Sequence, residues 1–144
     1  MTLEQQVYDA LIADAGIQGV IGANLFLVQL PQNPTYPSAT YQRVSTSPLY
    51  VQATLGVAQA SMGWARFRFT CWATGATSGQ MVEAFFNALL SVLGTFNAAA
   101  LPTSPEVINQ APNFVLNHSM LIEPQPSPPI FKSVTDVKIW YQNQ

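Results

Sequence analysis

A chain of 144 residues with five Lys plus Arg and seven Asp plus Glu is 8% charged, against about 25% for an average soluble domain; that length makes one domain and buries roughly two-thirds of its unfolded surface, so a core closes without staples. The net charge of −2 provides no basic footprint for phosphate neutralisation. Cys71 is the only cysteine, which excludes an internal disulfide and any multi-thiolate metal site within one chain.

Taken in chain order, residues Met1 to Ala15 hold Glu4, Asp9 and Asp14 with no basic region ahead of an apolar run, so they do not read as a secretion signal. No stretch reaches the roughly 18 apolar residues that span a bilayer, and a soluble, intracellularly made protein is expected. Thr2 and Gln5 form a capping-box pattern, and Leu3, Val7, Ala10, Leu11 and Ala15 recur at helical spacing. This predicts a first helix over Leu3 to Ala15, broken by Gly16, Gly19 and Gly22. The apolar run Leu25 to Leu30 is the first strand. Pro31, Pro34 and Pro37 punctuate a loop, and alternation from Ala39 to Val44 makes the second strand.

Ser45 to Ser61 follows neither period and reads as a long hairpin arm or loop. From Met62 to Ala73 the alternation is the strongest in the chain, with Ala65, Phe67, Phe69 and Cys71 on a core face and Trp64, Arg66, Arg68, Thr70 and Trp72 on the other. Ser78 suits an N-cap, and Met81, Val82, Phe85, Phe86, Leu89, Leu90 and Leu93 form the stripe of a main core helix ending at Gly94. After a connector framed by Pro102, Pro105 and Pro112, Phe114 to Glu123 is the fourth strand. Pro124 to Pro129 holds four prolines and cannot lie inside a sheet. Ser133 to Tyr141 closes the chain as a strand, with Val134, Asp136, Lys138 and Trp140 opposite Val137, Ile139 and Tyr141. The order α-β-β-β-α-β-β predicts an α+β fold, two helices on one face of a mainly antiparallel sheet.

Motifs for chemistry are missing. There is no Gly-x-Ser-x-Gly elbow, Walker loop or Gly-x-Gly-x-x-Gly, and the glycines at 16, 19 and 22 follow a helix rather than a strand. His118, the sole histidine, sits mid-strand among apolar residues, where packing is commoner than general-base chemistry. The sequon Asn117-His118-Ser119 has no secretion signal to give it meaning. Two features stand out. The face Trp64, Arg66, Arg68, Trp72 unites residue types that dominate buried interfaces; the alternative is a cation–π-laced surface covered by the second half of the same chain. The segments Ser45 to Ser61 and Pro124 to Pro129 are long for a compact domain and suit contacts outside it.

The helix opening Leu3 to Leu11, the apolar strand Leu25 to Leu30, Pro37-Ser38-Ala39-Thr40-Tyr41, the long arm, Phe67-Arg68-Phe69 followed by helix Gln80 to Leu93, and the closing Asp136-Val137-Lys138-Ile139-Trp140-Tyr141 together resemble the tail-completion, or tail-terminator, proteins of long-tailed bacteriophages. The Pro-rich insert is a departure from that pattern. The resemblance implies a virion protein of the tail and neck, made in the host cytoplasm. Such a protein would form a ring, usually a homohexamer, that caps the tail tube, stops tube polymerisation and offers the joining surface to the head connector. Its partners would be its own copies, the tail tube protein and a connector or stopper protein. No membrane is involved, and DNA would pass passively through the lumen. No reaction, metal or cofactor is implied. Low charge suits such a protomer, since ring closure needs two different sticky lateral faces. The interface candidates are Tyr41, Arg43, Tyr50, Val51, Leu55, Trp64, Arg66, Arg68 and Trp72. Two other readings stay open: a tube subunit, which would polymerise openly, and a small ligand-binding or hydrolase domain using His118 and Cys71.

Overall fold

The computed structural model describes residues 2–49, 61–95, 114–123 and 129–143. The elements run α1 (Leu3–Ile12), α2 (Ala15–Ile21), β1 (Leu25–Leu27), β2 (Ser38–Leu49), β3 (Ser61–Thr74), α3 (Ser78–Thr95), β4 (Phe114–Glu123) and β5 (Ile130–Asn143). The strands form one sheet in the order β1-β2-β3-β5-β4. Every pairing is antiparallel except the short parallel contact of β1 with β2. The α+β class and element order agree with expectation, with three helices described where two were expected.

The extra helix comes from the N-terminal segment. The glycines at 16 and 19 were expected to end a helix, yet the break falls earlier, at Ala13 and Asp14. Asp14 takes the N-cap position and accepts a hydrogen bond from the Ile17 N–H at 2.9 Å, satisfying a donor that the first turn leaves open. Ile17 and Ile21, four residues apart, then bury on one side of α2. Gly16 has a packing reason to lack a side chain: a Cβ there would stand 3.2 Å from Cβ of Ala88, so glycine lets α2 approach α3 closely. Gly22 ends the helix at φ 61°, a left-handed conformation that glycine adopts cheaply.

Several boundaries also move. β1 stops at Leu27 rather than Leu30, because Val28 turns to φ 70°. β2 reaches Leu49 and pairs as far as Leu49 opposite Met62, so Ser45 to Leu49 belongs to a strand rather than a loop. A bulge between Arg43 and Ser45 hides that periodicity by adding one residue. Residues 50–60 of the expected arm, and 124–128 of the Pro-rich segment, lie outside the described residues. Ser78 is the first residue of α3 and not its cap, and the helix continues one residue past Gly94. β5 begins at Ile130, three residues before the expected start.

All three helices share one hydrophobic core with one face of the sheet. From β3 it takes Ala65, Phe67, Phe69, Cys71 and Ala73, from β5 Val137 and Ile139, from α3 Val82, Phe85, Leu89 and Leu93, and from α1 and α2 Leu3, Val7, Leu11, Ile17 and Ile21. Strict alternation on β3 puts every second residue here. Each such large side chain stabilises the fold by about 1.5–3 kcal/mol through burial alone.

Candidate functional site

Alternation that feeds the core with one set of residues delivers the other set to the opposite face of the sheet. On β3 these are Trp64, Arg66, Arg68 and Trp72, and on β5 Lys132, Asp136, Lys138 and Trp140. Direct cross-strand partners are Trp64 with Trp140, Arg66 with Lys138, Arg68 with Asp136 and Trp72 with Lys132. Among the described residues no helix packs on this side, since the core cluster draws only on the alternate positions. The open face gathers all three tryptophans and four of the five cationic side chains of the chain.

Four cations within one patch repel unless each finds a partner. Asp136, 1% exposed, sits between the two arginines. It accepts from Arg68 Nε at 2.8 Å and Arg68 Nη2 at 3.1 Å, and from Arg66 Nε at 3.2 Å together with a close contact from Arg66 Nη2. These bonds, led by that from Arg68, hold its carboxyl below the usual carboxylate range against the opposing effect of burial. In turn Asp136 raises the Arg68 guanidinium above its ordinary value. Lys138 faces Arg66 across the strands, an unfavourable like-charge pairing. Its Nζ instead lies over two indole rings, 4.7 Å from the centroid of Trp64 and 4.5 Å from that of Trp140. Lys132 stands 5.9 Å from the Trp72 ring. The cation–π contacts of this face are made by Trp and Lys, because Asp136, the one buried carboxylate among the described residues, captures both arginines.

The other candidates go elsewhere. Tyr41 is buried on the helix side, its ring centroid 6.0 Å from that of Tyr8. Arg43 turns to the same side, where its Nη2 donates to Glu4 Oε2 at 2.8 Å. The structure therefore separates Tyr41 and Arg43 from the Trp64, Arg66, Arg68 and Trp72 group. Tyr50, Val51 and Leu55 lie outside the described residues.

His118 and Cys71 are held in ways that suit packing. The His118 ring stacks on Phe86 at 3.7 Å between centroids, its Nδ1 is 2.8 Å from Thr135 Oγ1, and burial lowers its pKa. Burial pushes the Cys71 thiol up to about 12, so it stays protonated at neutral pH and is a poor nucleophile. Among the described residues no three His, Cys, Asp or Glu side chains come together as metal ligands. Among the described residues no helix is long and apolar enough to cross a membrane.

The sequence reading missed one surface. β4 forms an edge of the sheet and leaves Val115, Leu116, Met120, Leu121 and Ile122 exposed, between 39% and 57%. Its signal was present, since Met120-Leu121-Ile122 is apolar on consecutive residues and so on both faces of a strand, as in strands covered on both sides.

A family model described as Tail completion protein gp17 matches residues 5–105. The chain belongs to this family. The tail completion assignment makes it a structural protein of the phage tail, located in the virion. Its fold is similar to that of a chain in a solved structure described as "Virion of native gene transfer agent (GTA) particle", with a TM-score of 0.61 at 13% identity, covering 98% of this chain and 95% of that one. No match was found among curated proteins.

Proposed function

We propose that this tail completion protein closes with copies of itself into a ring, of six in the form the sequence resemblance implies. The ring caps the finished tail tube, stops addition of further tube protein and offers the joining surface to the head connector. The observation that carries this reading is the open sheet face. Three tryptophans and two arginines on one side of a tail structural protein are the residue types that concentrate binding energy when buried between chains. The exposed apolar edge β4 is a second surface of the same kind, and long unpaired apolar edges favour association. Cyclic closure makes each lateral contact heterologous, so the open sheet face has to meet a different surface of the neighbouring copy.

Light scattering over a concentration series, alone and with tail tubes, tests the reading. A size-limited species that is present alone or forms only on tubes supports it. A monomer indifferent to tubes removes it, and open-ended growth identifies a tube subunit instead. The arm makes contact with the last tube ring in this account. Because Leu49 pairs with Met62, replacing residues 50–61 with Asn-Gly closes a two-residue hairpin. That variant is expected to fold and to lose tube capping; normal tail length with it removes the arm's role.

A further inference from the structure

Charge in this chain is segregated by layer. The helices α1, α2 and α3 and the cap of α2 hold Glu4, Asp9, Asp14 and Glu83 and not one Lys, Arg or His. The open sheet face holds Arg66, Arg68, Lys132 and Lys138 against Asp136 and, at its β4 end, Glu123, and keeps a net positive charge. Glu4 is paired with Arg43, while Asp9 and Glu83 are exposed. On α3 the outward stripe Glu83, Asn87 and Leu90 adds an exposed leucine, 39% accessible, to the acid. One layer is thus acidic with an apolar element, and the other is cationic with three aromatic rings.

We infer that neighbouring copies dock layer to layer, with the open sheet face of one copy covering the acidic helix layer of the next. This rests on the ring reading above and names the surfaces that close it. The two faces differ, as a heterologous contact requires. Their potentials are opposite, which sets register and rejects head-to-head and tail-to-tail contacts, where like charges would meet. A nucleic acid is a poorer occupant of the sheet face. Both arginines already spend guanidinium donors on Asp136, which leaves two lysines for phosphates, fewer than the cluster of contacts on which backbone binding depends. The complementary surface is carried by the same chain, so a second copy needs no further component.

Charge reversal tests the contact. A sheet variant, Lys132→Glu with Lys138→Glu, and a helix variant, Asp9→Lys with Glu83→Lys, are each assayed in the full chain by light scattering with tail tubes, alone and mixed in equal amounts. Each variant alone is expected to lose the assembly formed by the unmodified protein, because like charges meet. The mixture is expected to regain it, with the two chains alternating in equal numbers. Recovery in the mixture also demonstrates that both variants fold. Single variants that assemble as the unmodified protein does overturn the contact while leaving the ring intact. A mixture that stays monomeric, although both variants keep the parent melting transition, overturns it equally. The milder Lys132→Gln and Glu83→Gln variants read the same contact if the reversals misfold, with assembly weakened roughly two- to five-fold; unchanged assembly in both refutes it. A sheet variant that still assembles but no longer retains a DNA duplex assigns the face to phosphate instead. An unmodified protein that stays monomeric on tubes removes the ring reading itself.

Discussion

The two faces of β3 are built from neighbouring residues of one strand and do opposite work. On the helix side Ala65, Phe67, Phe69, Cys71 and Ala73 are all 0% exposed and apolar. On the open side Trp64 and Arg66 are half-buried and Arg68 is exposed. The first face closes a dry core in which packing decides stability. The second uses side chains with long apolar bodies that shield the sheet while keeping charge and ring faces available for another surface. Folding and assembly are therefore separable by one-residue steps along a strand.

That separation breaks most visibly in the core. Phe85→Ala, at a position 1% exposed, is expected to cost about 3–5 kcal/mol, read as a fall in melting temperature on the order of 10–20 °C. A loss below about 1 kcal/mol would place the core elsewhere. Next comes the one element of the open face that is also structural. Asp136→Asn keeps the shape and removes the charge that two guanidinium groups share, for a cost of about 1.5–3 kcal/mol, nearer the lower figure because both arginines are partly solvated. Its carboxyl pKa is depressed in the native state, so the stability it adds is complete above the unfolded value of 3.8 and is lost as pH falls through the lower native value. Acid titration of the melting temperature checks the sign: the variant should lose less stability than the parent on going below that pH.

Two smaller effects sharpen the comparison. Asp14→Ala removes the N-cap of α2 and is expected to cost about 1 kcal/mol, measured by denaturant midpoint with an unchanged slope. Trp72→Ala removes the partner ring of Lys132 and the partial burial of the indole, for about 1–2 kcal/mol, and is on this account one of the most damaging changes to assembly. Replacing Arg66 and Arg68 together would be a poorer probe, since it leaves Asp136 buried without its donors.

Where the sequence was legible, period was the reason. The alternation of β3 and the stripe of α3 name their own core faces, and Val137 and Ile139 on β5 fall on the side the pattern assigned. Legibility failed where one residue disturbs a period, as at the bulge between Arg43 and Ser45, or where a side-chain hydrogen bond outweighs propensity, as at Asp14 ahead of a glycine-bearing helix. Of the candidate site, Trp64, Arg66, Arg68 and Trp72 could be read from one strand. Their completion by Lys132, Asp136, Lys138 and Trp140 depends on the pairing of β3 with β5, which joins residues about seventy positions apart. Nothing local encodes that register. Arg43 was drawn away by Glu4, a partner 39 residues distant.

The most direct test of the separation between folding and assembly is the solution mass of Trp72→Ala with tail tubes, read beside its melting curve. The account predicts a melting temperature within about 8 °C of the parent and no size-limited assembly on the tubes. Assembly indistinguishable from the parent would contradict it, as would a collapse of the melting transition that makes the open face part of the fold.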